Sequence, residues 1–186
     1  MSAQKTSQKV NTMNTKKAAS TRKIALSAVL AAIAVVLSPV LSIPLPFATP
    51  FPVQSAVNAI AGILLGPWYA VLIAIVAALI RNILHTGTIF AFPGGIFGAL
   101  LVGLVYRYVI KQDYAAFFEI IGTGIIGAVA SAYLIGPWAL QAGLIGSLGT
   151  LSAFVIAFLA ASITGSIIGF IVVKIVHKTG FWHESP

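Results

Sequence analysis

The chain has 186 residues, of which 59% are hydrophobic and 8% charged, against about a quarter charged in soluble domains. With a mean hydropathy of +1.04 it cannot cover a water-facing surface, so a soluble domain is excluded and the bilayer is its solvent. Eleven Lys and Arg against three Asp and Glu give a net charge of +8, but their places along the chain mark membrane topology rather than nucleic-acid binding.

In chain order, residues 1–20 are rich in Ser, Thr, Gln and Lys and read as a flexible basic cytoplasmic tail. Lys5, Lys9, Lys16, Lys17, Arg22 and Lys23 precede a first span from about Lys23 to Leu41, which is too long for the apolar core of a signal peptide. Next comes "SPVLSIPLPFATPFPVQ", with prolines at 39, 44, 46, 50 and 52 and no charge. Proline at this density forbids a regular helix and predicts a semi-rigid, lid-like loop lying on protein. A short second span, about Val53 to Leu65, stops at the "GPW" of Gly66 to Trp68, and Pro67 restarts a third span to about Leu84.

The fourth span is expected from Pro93 to near Lys111 and the fifth from about Tyr114 to Leu134, closed by a second "GPW" at Gly136 to Trp138. After a Gly-rich connection the sixth runs from about Leu148 to Val176, and residues 181–186 form a C-terminal cytoplasmic tail. Six spans, filling a membrane domain over residues 21–180, put both termini in the cytoplasm. Every Lys and Arg except Arg81 then lies on that side, as the positive-inside bias requires. The fold class is an all-α, multi-pass bundle.

Few polar side chains interrupt these spans. Arg81 heads the stretch "LIRNILHTGTIFAFPGG", with Asn82, His85, Thr86 and Thr88 close behind it. It either snorkels to lipid headgroups or faces a cavity, as intramembrane ionisable groups usually do. Gln54 and Asn58 stand one turn apart on one helix face, suited either to an interhelical hydrogen bond or to a ligand. Tyr133, Trp138 and Gln141 are an interfacial belt or a surface on which a flat heterocycle stacks. Arg107 and Glu119 are expected to pair across the short fourth-to-fifth turn as a structural brace. The chain has no Cys, and no acid lies near His85, so neither a metal site nor a cofactor is expected. Without paired carboxylates, a Walker loop or a Ser–His–Asp set, no catalytic residue is expected. Binding is the better reading.

The stretches "NAIAGILLGPWYAVLIA", "LIRNILHTGTIFAFPGGIFGALLVGLVYRY" and "EIIGTGIIGAVASAYLIGPWA" resemble the ThiW family of S components of energy-coupling factor (ECF) vitamin transporters. The resemblance implies a six-helix bundle in the cell membrane of a prokaryote that captures the thiamine precursor hydroxyethylthiazole at its outer face. It also implies partners: a coupling membrane subunit and two ATPases. In such S components an Ala-x-x-x-Ala motif in the first helix docks the coupling subunit, and Ala28 and Ala32 match that spacing. With this resemblance the lid, Arg81 to Thr88, and Tyr133 to Gln141 would enclose the substrate, and Arg81 would meet a phosphate if the substrate carried one. Alternatives are an S component for hydroxymethylpyrimidine or thiamine, a small membrane enzyme acting on lipid, and a scaffold without ligand.

Overall fold

The computed structural model describes residues 2–43 and 49–180. Among the described residues all regular structure is helical. The helices are α1 (Ser2–Val40), α2 (Pro52–Leu64), α3 (Pro67–Ile83), α4 (Ala91–Tyr108), α5 (Asp113–Gln141) and α6 (Leu151–Lys178). Four stretches, Ser20–Val40 within α1 and the whole of α4, α5 and α6, are long and apolar enough to cross a membrane. The other two, α2 and α3, are shorter, at 13 and 17 residues.

The element boundaries follow from local chemistry. Pro52 and Pro67 open their helices at the first turn, where a missing N–H costs nothing. Gly66, at φ 89°, supplies the left-handed backbone between α2 and α3 that residues with a Cβ avoid. The Thr150 side chain caps α6 by accepting a hydrogen bond from the Ala153 N–H at 3.3 Å.

Two expectations change here. Residues 2–20, read as a flexible tail, continue α1 as helix. The stretch before Pro39 contains no Gly or Pro and is rich in Ala and Lys, both good helix formers. The second GPW does not end its span either. Where the first follows a break, the second lies inside α5, preceded by a π-helical turn over Ser131–Ile135. That wider turn accommodates Pro137, which has no N–H for the helical ladder. Of the expected lid, residues 38–40 belong to the end of α1 and residues 52–54 to the start of α2, so Pro39 and Pro52 lie in helix rather than in a loop. Residues 44–48, like the tail at 181–186, fall outside the described residues.

α2 is the centre of the bundle. All 13 of its residues are buried, and α1, α3, α4, α5 and α6 all pack on it. At 1.5 Å per residue it is about 20 Å long, short of the roughly 30 Å hydrocarbon core. Its neighbours, not lipid, surround it. Close approach depends on small side chains: a Cβ on Gly165 of α6 would lie 2.4 Å from Ser55 Cβ. Large apolar residues such as Val36, Trp68, Leu72 and Ile171 face outward instead.

Candidate functional site

The loops α1–α2, α3–α4 and α5–α6 converge at one end of the bundle, over a cavity of about 430 Å³. Pockets for small ligands span roughly 300–1,000 Å³. Phe51, Phe90, Phe154 and Phe158 give the walls an apolar, aromatic character, with Phe154 edge-on to both Phe90 and Phe158. The polar groups are few: Gln54, Ser55 and Asn58 from α2, Thr88 from the α3–α4 loop, Thr123 from α5, and Thr49 and Ser147 from the other two loops. α4 brings Gly94 and Gly95 to the wall, so its backbone approaches without bulk.

A hydrogen-bonded network runs behind this wall. Asn58 Nδ2 donates to Glu119 Oε1 at 3.2 Å. The Thr123 hydroxyl lies 2.6 Å from the Gly94 carbonyl and 2.7 Å from Glu119 Oε1, and its single hydrogen serves one acceptor at a time. Glu119 is completely buried, and its Oε2 has no partner among the described residues. Gln54 Nε2 donates to the Ala91 carbonyl at 3.2 Å, while Gln54 Oε1 accepts from Arg81 Nη1. Two amides on α2 thus separate a buried guanidinium from a buried carboxyl.

Arg81 is completely buried and does not line the cavity. Its guanidinium lies 4.0 Å from the centroid of the Phe51 ring, and Nη2 donates to the Thr86 carbonyl at 3.2 Å. The rest of the "RN…TGT" stretch closes the end of α3. The Arg81 carbonyl accepts from the N–H groups of Thr86 and Gly87. Asn82 Nδ2 donates to the carbonyls of Ala78 and Thr88, and His85 turns the chain at φ 57°. His85 and Thr86 are exposed.

Of the residues read from sequence as a binding site, Gln54, Asn58 and Thr88 meet at the cavity. Arg81 stands one shell behind, and Asn82, His85 and Thr86 shape the loop. Tyr133 and Trp138, 64% and 55% exposed, and Gln141 point away from it. α5 turns Ser131, Ala132, Gly136 and Ala139 inward, leaving its bulky residues outside.

The Arg107–Glu119 brace is not formed. Arg107 is exposed and lies over the Tyr108 ring at 5.5 Å, while Glu119 is taken up by Asn58 and Thr123. Burial explains the difference, because Glu119 faces the bundle core and Arg107 leaves it with the end of α4. At that end His177 Nδ1 and Asp113 Oδ1 lie 2.7 Å apart, a hydrogen bond that ties the start of α5 to the end of α6.

Sequence reasoning placed Phe51 only within the lid and missed Ser55, Phe90, Thr123, Phe154 and Phe158. Thr123 follows Glu119 by one turn, and Phe154 and Phe158 are likewise one turn apart, so helical spacing carried a signal for both.

The model of one protein family matches residues 24–179; its description is thiamine-precursor transporter protein (ThiW). No curated protein and no solved structure matches the chain.

Proposed function

The chain belongs to the ThiW family of thiamine-precursor transporters, and from that premise we propose that it is the membrane-embedded substrate-binding subunit of an ECF-type importer. Its substrate is hydroxyethylthiazole, held in the cavity between α2, α4, α5 and α6. A coupling membrane subunit and two ATPases drive uptake, and the chain itself performs no reaction.

The observation that carries this reading is the cavity itself. Phe51, Phe90, Phe154 and Phe158 stand in its walls, and it offers amides and hydroxyls from Gln54, Asn58, Thr88 and Thr123. A flat heterocycle with a ring nitrogen and a short alcohol suits such walls, because the ring buries apolar area and its two polar ends each find a partner.

In this reading all six helices cross the plasma membrane, with the short α2 enclosed by the other five. Both termini are cytoplasmic, which keeps every Lys and Arg except Arg81 on that side. The cavity then opens outward. Ala28 and Ala32 are exposed on α1, where small side chains permit close approach of the coupling subunit.

Calorimetric titration of the purified protein tests the substrate. Hydroxyethylthiazole is expected to bind more tightly than hydroxymethylpyrimidine or thiamine. A preference for either of the others would reassign the substrate, and no binding of any would favour a scaffold.

A further inference from the structure

We propose that Arg81 is a positioning residue of this site: from behind the wall, it fixes the Phe51 ring and the Gln54 amide in the orientations that the ligand meets. This rests on the reading of the cavity as the binding site. Phe51 and Gln54 stand three residues apart at the start of α2, and both line the cavity. One planar guanidinium serves the two of them, with its carbon over the Phe51 ring at 4.0 Å and Nη1 donating to Gln54 Oε1. Its other amino group is tied to the Thr86 carbonyl, so the fork is held from the α3–α4 loop. Gly87 leaves room for this, since a Cβ there would lie 3.0 Å from Arg81 Cβ.

The consequence for recognition follows from donor and acceptor counting. Arg81 can only donate, so it turns the Gln54 carbonyl oxygen toward itself and the NH₂ group the other way. One of those two hydrogens goes to the Ala91 carbonyl, and the second is offered to an acceptor in the cavity, such as a ring nitrogen. Without Arg81 the amide keeps only its bond to the Ala91 carbonyl, and the ring above it loses its backing. Among the described residues no carboxylate lies within ion-pair distance of Arg81, so its partners are the ring, the amide and the carbonyl. Lysine, a point charge on a flexible stem, cannot serve all three at once.

Two measurements test this. In titrations with hydroxyethylthiazole, Arg81→Ala and Arg81→Lys should each weaken binding about tenfold or more. Phe51→Leu should weaken it less, and Phe51→Leu with Arg81→Lys should cost less than the product of the single losses, because both act through one wall. The second measurement needs no ligand. The chain has no Cys, so Ala157→Cys, at a wall position only 4% exposed, reports on access to the cavity. Maleimide labelling at this position should be several-fold faster with Arg81→Lys than with Arg81 intact.

Independent losses for Phe51 and Arg81, or unchanged labelling, would overturn the positioning role. Failure of the unsubstituted protein to bind hydroxyethylthiazole would instead strike the substrate reading and leave the labelling result to decide this one.

Discussion

Two regions that look alike in sequence behave in opposite ways in the bundle. The start of α2 with the end of α3, and the second half of α5, each set polar or aromatic side chains into an apolar helix. In the first, Gln54, Asn58 and Arg81 are buried, with Arg81 donating to Gln54 and Asn58 to Glu119. In the second, Tyr133, Trp138 and Gln141 face outward. The difference lies in what surrounds them. α4 passes the first region with Gly95, where a Cβ would lie 2.7 Å from Gln54 Nε2, and Gly98 leaves room in the same way for Glu119 and Thr123 of the adjoining network. α5 uses its own small residues for packing, so that Gly136 sits where a Cβ would meet Leu148 at 2.3 Å. In a membrane, where packing rather than hydrophobicity joins helices, the small residues mark the inward face.

The contrast breaks most severely at Gly98. A Cβ there would lie 2.2 Å from Thr123 Oγ1 and 2.8 Å from Glu119 Oε1. Gly98→Val therefore forces α4 and α5 apart and expels the Thr123 hydroxyl from its place between Gly94 and Glu119. Overpacking of this kind costs about 1–3 kcal/mol, occasionally more, and here it acts on a buried polar network as well. The expected result is a sharp fall in folded yield from detergent, measured by size-exclusion chromatography. A normally folded Gly98→Val protein would mean that the network tolerates separation and does not hold the two helices together.

A smaller effect is expected at Asn58. Asn58→Leu keeps the volume but removes the amide that donates to Glu119 Oε1. A buried polar group that loses its partner costs about 1–3 kcal/mol. The midpoint of thermal unfolding should fall and hydroxyethylthiazole affinity should fall with it, because Asn58 is also part of the wall. Lower stability with unchanged affinity would confine Asn58 to the network and remove it from the wall.

Much of this was readable from the chain. Six apolar segments, the prolines that open α2 and α3, and the pairing of Gln54 with Asn58 on one face all follow from spacing and local chemistry. The site was legible only in part, because which face of a helix turns inward depends on its neighbours. The exposure of Arg107 and the burial of Glu119 illustrate this, since both lie within helices near one turn. Their charges suggest a pair, and the bundle separates them by direction. Arg81 shows a second limit. Its position suited either lipid headgroups or a cavity, and the geometry places it behind the cavity wall, bonded to Gln54 and beside the Phe51 ring.

The smallest effect is expected on the far side of the comparison. Tyr133 and Trp138 lie on the outer face of α5, away from the cavity walls, so no ligand ring seated there can stack on them. Their aromatic area faces lipid or a partner, and in the isolated protein it meets detergent. Tyr133→Leu and Trp138→Leu keep an apolar surface and leave Ser131, Gly136 and Ala139 packed inward. Surface changes of this kind typically move stability by no more than about 0.5 kcal/mol, and hydroxyethylthiazole affinity should stay within about twofold of the unsubstituted value by the same arithmetic. A loss approaching that of Asn58→Leu would show that α5 rotates when the ligand enters, bringing its aromatic face to the cavity. The two π-helical turns, at Gly122–Gly127 and Ser131–Ile135, would be the place where such a rotation is absorbed. A single affinity measurement on Trp138→Leu therefore separates a fixed wall from one that closes by turning.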